Sequence, residues 1–287
     1  MSYTEEFRVK PRSRVQLAKL KADRSDRIGK HEAETLLSGS VERMAEITDR
    51  LYAQKQWALL IVLQAMDAAG KDGTIKHVTS GLNPQWCSVH GFGAPSKEEL
   101  DHDYLWRIVK ALPERGCIGI HNRSHYEEVI VTRVHPEILQ HERIPDATRS
   151  ANLIRRRYKE INRFERFLVD NGTVVLKFFL HVSKREQWRR LRERMEDPEK
   201  WWKLQPGDMR ERLHWDKYME AYQDAFYYTS TAHAPWFVIP GDNKAVARLI
   251  VAEIIVETLA RLELHYPEVT PAMRAEWDKA REELRKA

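Results

Sequence analysis

Short apolar runs alternate with amphipathic segments along most of the chain. The run over residues 57–64 is apolar at nearly every position, which predicts a strand buried on both faces, as in a parallel sheet. Further strands are predicted over 86–92, 117–121, 173–182 and 236–240. Because strands that alternate with helices need crossover connections, the pattern predicts an α/β fold in which a five-stranded parallel sheet is flanked by helices.

Apolar positions at helical spacing, together with end signals, predict the intervening helices. Ser96 and Ser183 each begin a capping-box pattern that is completed by a glutamate, so each marks a helix start. Asn171 and Gly172 mark the end of a long amphipathic helix. The helices are predicted over 40–55, 73–80, 96–112, 148–170, 183–196, 209–228 and 243–264.

The distribution of these elements divides the chain into three parts. Residues 1–40 are polar and basic, and they are predicted to form an N-terminal basic arm with little core of its own. The predicted sheet and helices occupy residues 41–265, in which the segment at about 184–228 is predicted to form a helical lid. Residues 266–287 are predicted to form a charged C-terminal helical tail.

Composition narrows the classes of protein to which the chain can belong. Hydrophobic residues make up 42% of its 287 residues, and no apolar run approaches the roughly 20 residues of a membrane span. The N-terminus lacks the pattern of a secretory signal, and two cysteines suit a reducing compartment, so we expect a cytoplasmic protein. The formal net charge of +5 fits either a solvated basic surface or a surface that attracts a polyanion.

The segment after the first predicted strand has the features of a phosphate-binding loop. Small residues let backbone N–H groups close around an anion, a helix N-terminus favours negative charge, and a lysine reaches the outer phosphate. The segment departs from the GxxxxGK[ST] pattern at Ala65 and Asp72, and an ordinary strand–helix turn is the alternative. The predicted phosphate-binding residues are Ala68, Ala69, Gly70, Lys71, Asp72, Gly73 and Thr74, of which Lys71 is also a catalytic candidate.

Asp67 and Asp72 would repel a phosphate bound in this loop. At about 4 Å and an effective dielectric constant of about 20, each pair of like charges costs on the order of 4 kcal/mol. Such a carboxylate persists only beside a cation or with a bound proton, so Asp67 is predicted to be a metal ligand or a general base. Asp72 has a second interpretation, as a first-turn residue that the helix dipole stabilises.

A second polar cluster follows the third predicted strand. Open parallel sheets bind ligands at the carboxyl ends of their strands, so residues 122–128 are predicted to face the phosphate loop. Arg123 is a candidate to clamp phosphate through two hydrogen bonds. Glu127 and Glu128 are candidates to reach a metal ion or a nucleotide.

Arginines crowd the predicted helix over 184–196. Arg185, Arg189 and Arg192 share one flank of this helix, whereas Arg190 and Arg194 share another. One interpretation is a basic face in solvent. The other is a lid that closes over phosphates and neutralises the charge in transit.

Together these motifs resemble polyphosphate kinase family 2, whose members pass a phosphoryl group between inorganic polyphosphate and nucleotides. The resemblance spans roughly 41–260 and implies a P-loop kinase-like fold. The segment 122–129, with 103–107, resembles the class III branch, which accepts both nucleoside mono- and diphosphates. The segments that carry the resemblance are 63–74, 122–129, the lid, 235–236 and 242–244.

The resemblance implies roles for individual residues. Asp67 would bind Mg²⁺ and help to activate the acceptor phosphate, and Arg123 would clamp phosphate near the reacting centre. Asn122 stands where other branches carry an aspartate, so the second metal ligand stays open, with Glu128 or Glu127 as candidate. The residues implied in nucleotide binding are Asn122, Arg123, Glu127, Glu128 and Arg133. The residues implied in holding polyphosphate are Lys76, His77, Arg107, Arg185, Arg189 and Arg192.

We therefore expect a polyphosphate kinase that converts AMP or ADP to ADP or ATP reversibly, with Mg²⁺ or Mn²⁺ as cofactor. Its expected partners are inorganic polyphosphate and adenine or guanine nucleotides, without membrane or nucleic acid, and a homo-oligomer is expected as a dimer or tetramer. Two alternatives stay open. One is an ATP-dependent nucleotide kinase of the thymidylate-kinase type, and the other is a nucleotide-gated nucleic-acid-binding protein, for which no RNA or DNA module is recognisable.

Overall fold

A parallel sheet lies at the centre of the computed structural model, which describes residues 2–145, 152–203 and 206–286. Its strands are β1 (Ala58–Ala65), β2 (Cys87–Gly91), β3 (Ile118–Asn122), β4 (Thr173–His181) and β5 (Trp236–Pro240). They are ordered β2-β3-β1-β4-β5, and all four neighbouring pairs are parallel. The predicted five-stranded parallel sheet is confirmed.

The apolar run of β1 explains its central position. All eight of its residues are buried, because β3 and β4 pair with its two edges and helices cover its faces. The register sets Leu63 of β1 beside Asn122 of β3, and Ala65 beside Leu180 of β4. Strand β3 pairs with one edge of β1, and β4, which follows it in the chain, pairs with the other edge. Because the connections on the two sides of β1 run in opposite directions, a crevice opens at the carboxyl ends of these strands.

Helices connect the strands and form two packed groups. Helices α2 (Lys30–Gln54) and α3 (Lys71–Val78) each pack against α11 (Lys244–Leu259). Helices α6 (Glu127–Val134), α7 (Leu153–Asp170) and α10 (Trp215–Thr229) form the second group, so the sheet lies between two helical layers. None of the helices in the described ranges is long and apolar enough to cross a bilayer. The α-helices described are α1 (Tyr3–Phe7), α2 (Lys30–Gln54), α3 (Lys71–Val78), α4 (Lys97–Leu100), α5 (Trp106–Lys110), α6 (Glu127–Val134), α7 (Leu153–Asp170), α8 (Lys184–Glu196), α9 (Pro206–Glu211), α10 (Trp215–Thr229), α11 (Lys244–Leu259) and α12 (Pro271–Lys286).

Two of the predicted helices are each divided in the structure, and part of a third is not described. The helix predicted over 96–112 is divided into α4 and α5, because the side chain of Asp103 accepts a hydrogen bond from the Leu105 N–H at 2.9 Å and closes a turn between them. A 3₁₀ turn divides the helix predicted over 209–228 between α9 and α10. Residues 148–151 of a third predicted helix lie outside the described residues.

The N-terminal 40 residues do contribute to the core, contrary to the prediction of an arm. Val9 and Leu17 are buried, and the Val9 backbone N–H donates to a carbonyl of β5 at 2.8 Å. The helix α2 begins at Lys30, well before the predicted start at Ser40. Apolar residues are too sparse here to form a periodic pattern, yet these two pack against the rest of the molecule.

The predicted lid contains two kinds of structure. The helix α8 lies over the loop that follows β1, because Gln187 donates through Nε2 to the carbonyl oxygen of Asp67 at 3.0 Å. The helix α10 is instead part of the core, with Tyr218, Tyr222 and Phe226 buried. Within the predicted lid, α8 and α9 therefore remain as the covering elements.

Candidate active site

The phosphate loop lies between the end of β1 at Ala65 and the start of α3 at Lys71. Two of its residues have a positive φ, Ala68 at 61° and Gly70 at 101°. Glycine takes this left-handed conformation without a Cβ clash, whereas at Ala68 it costs free energy. The turn leaves the first N–H groups of α3 without partners inside the helix, and such groups suit an anion.

The side chain of Lys71 folds back over this loop. Its Nζ donates to the carbonyl oxygen of Ala65 at 3.0 Å and lies 3.5 Å from that of Met66. Burial lowers the pKa of Lys71, while the negative charge of Asp67 acts in the opposite direction. The ammonium group is therefore fixed beside the loop backbone, where a phosphate oxygen can replace a carbonyl as its partner.

Arg123 and Asp67 form an ion pair across the crevice. Arg123 directly follows β3, and its backbone N–H donates to the carbonyl oxygen of Leu63 at 3.1 Å. With a φ of 66° at Arg123, its guanidinium donates to Asp67 Oδ1 at 3.0 Å. Burial alone would lower the pKa of Arg123, but the charges of Glu127 and Asp67 raise it. The prediction that this segment faces the loop is confirmed.

Both aspartates of the loop region have partners. The carboxylate of Asp67 was expected to need a cation or a proton beside it, and Arg123 supplies a positive charge from the chain itself. Asp72 lies in the first turn of α3 and accepts a hydrogen bond from Asn122 Nδ2 at 2.7 Å. An aspartate at position 122 would instead place two carboxylates together, and one of them would then need a proton or a cation.

Glu127 and Glu128 are adjacent in α6 but face different groups. Glu127 faces the loop, with Oε2 at 3.9 Å from Arg123, and burial raises its pKa. Glu128 lies 3.6 Å from Arg107 and 3.3 Å from Arg157, and burial raises its pKa to about 7. Successive helical side chains differ by about 100° in direction, so the two glutamates face different groups. This placement gives no support to Glu128 as the second metal ligand, and that role stays a prediction.

Arg190 of α8 braces the phosphate loop. Its side chain is buried, and the guanidinium donates to the carbonyl oxygens of Ala69 at 2.6 Å and of Gly241 at 2.7 Å. These carbonyls belong to the loops that follow β1 and β5. Because α8 also carries Gln187 against Asp67, this helix holds the two loops in a fixed relation.

Three arginines that the resemblance implied in holding polyphosphate lie on an exposed flank of the same helix, namely Arg185, Arg189 and Arg192. Arg189 lies 2.6 Å from Glu186, and Arg192 lies 3.3 Å from Glu196. Arg185 is also exposed. Two of the three therefore have carboxylate partners within their own helix. The sequence placed two arginine flanks on this helix, but only packing decides which flank faces the loop.

Asp208 lies near Asp67 of the loop, and no pattern in the sequence singles it out. It lies in α9, with its carboxylate 3.4 Å from Arg194 of α8. Burial, together with the negative charge of Asp67, raises the pKa of Asp208. In the sequence, Asp208 is a single aspartate between two predicted lid helices. An ordinary surface aspartate would have the same pattern.

A cavity of about 980 Å³ opens beside the phosphate loop, and Asp67, Arg123 and Glu127 form part of its wall. Its volume lies in the range of small-molecule sites. Arg107 is in this wall, where its guanidinium donates to the Gly93 carbonyl oxygen at 2.9 Å, so the structure associates it with the cavity rather than with the lid arginines. Further residues of the wall are Leu105, Val131, Leu153, Tyr218 and Tyr222.

Three other predicted site residues lie outside this wall, as far as the described residues define it. Arg133 pairs with Asp224 of α10, which gives no support to its predicted contact with nucleotide. Lys76 and His77 are exposed on α3, and His77 Nδ1 lies 2.7 Å from the Gly73 carbonyl oxygen. Their role in holding polyphosphate stays a prediction.

A buried network fixes the segment that carries Arg123 and Glu127. Lys177 Nζ donates to Glu165 at 2.5 Å and to Tyr126 Oη at 2.9 Å, and Tyr126 Oη donates to Glu165 at 2.8 Å. All three side chains are buried. A buried charge is tolerated only with its partner in place, so the network holds Tyr126 and thereby its two functional neighbours.

The acidic groups of the crevice suit a hard divalent cation. Asp67, Glu127 and Asp208 lie around the loop and offer oxygen ligands, which such cations prefer. Within the described ranges, no three acidic, histidine or cysteine side chains are close enough to hold a metal ion by themselves. This arrangement fits a cation that takes one or two carboxylates and completes its shell with phosphate oxygens and water.

Known proteins resemble the chain over nearly its full length. The family model described as polyphosphate kinase 2 matches residues 27–266. The chain is 47% identical over 286 residues to the ADP-polyphosphate phosphotransferase of Rhodopseudomonas palustris, with 99% of each chain covered. It is 43% identical over 266 residues to the AMP/ADP-polyphosphate phosphotransferase of Meiothermus ruber, with 92% of this chain and 96% of that one covered. The crystal structure of polyphosphate kinase 2 from Arthrobacter aurescens TC1 matches with a TM-score of 0.88 at 38% identity, over 97% of both chains.

Proposed function

Because the chain belongs to the polyphosphate kinase 2 family, we propose that it transfers a terminal phosphoryl group between inorganic polyphosphate and AMP or ADP, reversibly. The observation that carries this proposal is the juxtaposition of the phosphate loop, the Asp67–Arg123 pair and the cavity. One side of the loop is thus open to a molecule of nucleotide size. Such an arrangement brings an acceptor phosphate to a bound donor.

The residues of the crevice have distinct roles in this proposal. The acceptor nucleotide occupies the cavity with its phosphate towards Arg123, and Lys71 with the N–H groups of α3 holds the donor's terminal phosphates. Phosphoryl transfer needs little covalent chemistry from the protein, so position and charge neutralisation account for most of the catalysis. Mg²⁺ or Mn²⁺, held by Asp67 and Glu127, supplies further neutralisation of the phosphate oxygens when it is bound.

The test uses AMP, polyphosphate and Mg²⁺ with no other phosphoryl donor, and it measures ADP and ATP by chromatography. Both products should form, EDTA should stop their formation, and Asp67→Asn should stay inactive at high Mg²⁺. An enzyme that needs ATP and ignores polyphosphate would support the thymidylate-kinase alternative instead. Full activity of Asp67→Asn would show that the carboxylate is structural.

Two finer parts of the proposal have their own measurements. We propose guanine nucleotides as acceptors beside adenine nucleotides, and GDP in the same assay tests this. We also propose a homo-oligomeric enzyme, a dimer or a tetramer, and light scattering coupled to gel filtration measures its mass. A monomer at working concentration would contradict the second part alone.

A further inference from the structure

The C-terminal helix α12 carries apolar side chains that are exposed. Every described residue of this helix is exposed, including Trp277 at 52% and Leu284 at 79% of their full accessible surface. A helix of this length is only marginally stable in water by itself, because most helices in proteins are stabilised by the packing of an apolar face. The single chain therefore lacks the contact that usually stabilises such a helix.

The helix α12 lies apart from the elements that build the crevice. The family model stops matching at residue 266, and α12 begins at Pro271. None of the described residues that form the hydrophobic core or the wall of the large cavity belongs to α12. The proposed phosphoryl transfer thus gives this helix no role.

The apolar side chains of α12 are spaced as in a coiled coil. They recur at intervals of four, three and four residues, at Met273, Trp277, Ala280 and Leu284. This alternation keeps one seam of a helix turned towards a partner helix over its whole length. The seam of α12 extends over about three turns.

The charges beside the seam indicate which partner fits and in which direction it runs. Glutamates border one edge of the seam and arginines border the other, at Glu276, Glu283, Arg274 and Arg281. In a parallel pair of α12 helices, Glu276 of each copy lies beside Arg281 of the other, whereas an antiparallel pair places like charges together. Arg281 lies 3.3 Å from Asp278 of its own helix, and its five N–H donors allow it to keep this exposed pair as well. The seam is therefore complementary to a parallel copy of itself.

The same charges distinguish this helix from one that lies on a membrane. Residues 271–286 contain five lysines or arginines and four aspartates or glutamates, so their net charge is only +1. Helices that lie on anionic membranes are instead rich in lysine and arginine on their polar face. A second protein helix of the same kind suits α12 better.

We propose that α12 pairs in parallel with α12 of a second copy of the chain, so that the two apolar seams form a contact of the oligomer. The inference rests on the proposed homo-oligomer and names one of its interfaces, but it is independent of the proposed chemistry. Because the seam is short, the contact should dissociate reversibly on dilution. In a tetramer, α12 would supply one of two kinds of contact.

The experiment compares two variants that add the same charge to the same helix. Ala280→Glu places a carboxylate in the seam, and its matched control Ala275→Glu places one on the opposite face, while both alanines are exposed in the single chain. Analytical ultracentrifugation over a range of concentrations measures the mass and the Kd of association. Ala280→Glu should raise the Kd about tenfold or more and halve the mass at intermediate concentration, because association would bury an unpaired charge. Ala275→Glu should match the wild type.

Charge exchange tests the direction of the pair. Glu276→Arg and Arg281→Glu should each weaken association, because each sets like charges together in a parallel pair. The double variant Glu276→Arg, Arg281→Glu should restore the affinity of the wild type. Single variants that associate as tightly as the wild type would overturn the parallel arrangement.

Activity and thermal unfolding separate this inference from the proposed function. The formation of ADP from AMP and polyphosphate, measured per subunit, and the thermal midpoint should stay near those of the wild type in both alanine variants. An unchanged mass of Ala280→Glu would overturn the inference and leave the oligomer to another surface, whereas a monomeric wild type would refute the oligomer too. Binding of the wild type to anionic vesicles, lost in Ala280→Glu without a change of mass, would assign the seam to a membrane instead. A wild type that oligomerises through α12 but ignores polyphosphate would refute the proposed function alone.

Discussion

At the scale of single residues, the crevice is bounded by two non-glycine residues with left-handed backbone, Ala68 and Arg123. Ala68 belongs to the loop after β1, and Arg123 belongs to the segment after β3. A left-handed conformation costs a non-glycine residue about 1–3 kcal/mol and persists only where the surroundings hold it. The hydrogen bond from the Arg123 N–H to Leu63 is one such restraint. In this conformation the Arg123 side chain reaches Asp67.

Lys71→Ala should abolish phosphoryl transfer without unfolding the protein. The ammonium group contacts the loop carbonyls of Ala65 and Met66, so its loss removes a restraint on the loop and the proposed phosphate ligand. Loss of one such charge-stabilising donor typically lowers kcat by about 10²–10³-fold. Steady-state kinetics and circular dichroism measure the two effects, with Lys279→Ala on exposed α12 as control. Near-normal kcat with an unchanged spectrum would contradict the assignment of the loop.

Glu165→Gln should destabilise the protein strongly. It leaves the Lys177 ammonium buried without its counter-charge, and breaking one side of a buried pair costs about 3–5 kcal/mol. The matched control is Glu160→Gln on the same helix, whose pair with Arg156 is partly exposed and is expected to contribute about 0–1 kcal/mol. Urea denaturation measures both. Equal midpoints would show that the network does not hold its segment.

At the scale of elements, α8 connects the loops after β1 and β5 through side-chain hydrogen bonds. Arg190 and Gln187 reach those loops from the face of the helix that is buried. The exposed face carries Arg189 and Arg192, which pair with glutamates along the helix. One helix thus divides its arginines between holding the site and facing solvent.

Arg190→Gln and Arg192→Gln test this division on one element. Arg190→Gln removes hydrogen bonds to four backbone carbonyls in the loops after β1 and β5, and the ion pair with Glu186. A hydrogen bond from a charged group contributes roughly 1.5–3 kcal/mol, so both stability and activity should fall. Arg192→Gln should change stability by about 0.5 kcal/mol or less. Thermal unfolding and steady-state kinetics measure the pair. A rise in the polyphosphate KM of Arg192→Gln alone would support the lid role that the sequence predicted for its flank.

At the scale of the whole molecule, the N-terminal segment closes the far edge of the sheet. The Val9 N–H donates to Trp236 of the edge strand β5, and Ser230 Oγ donates to the Val9 carbonyl at 2.6 Å. Leu17 is buried, and its N–H donates to Gln223 at 2.9 Å. An uncovered edge strand is a template for pairing with other chains, so this segment protects the fold.

Deletion of residues 2–20 should therefore lower the thermal midpoint and promote aggregation. The deletion uncovers β5 and removes two buried apolar side chains, each contributing about 1.5–3 kcal/mol. Deletion of residues 267–287 is the control, because α12 is exposed along its described length. Scanning calorimetry and light scattering compare the two proteins. A midpoint lowered equally by both deletions would contradict the role given to the N-terminal segment.

The sequence by itself determined the order of strands and helices along the chain, the turn at Gly70 and Lys71 between β1 and α3, and the position of Arg123 opposite that turn. These are consequences of local pattern: a buried run predicts a strand, and strands of a parallel sheet end at one edge. The motifs also carried the family resemblance, which the comparisons confirm. Asp208 could not be predicted from local pattern, because the charged groups around it come from distant parts of the chain.

Only the tertiary structure decided which of two equivalent side chains reaches the site. Glu127 rather than Glu128, and Arg190 rather than Arg192, face the phosphate loop. The rotation of each helix about its axis made these choices, and it depends on how the helix packs against distant elements. The packing of Val9 and Leu17 against residues more than half the chain away was decided in the same way. Periodicity fixes the spacing of side chains along an element, whereas the direction in which they point is set by contacts between elements.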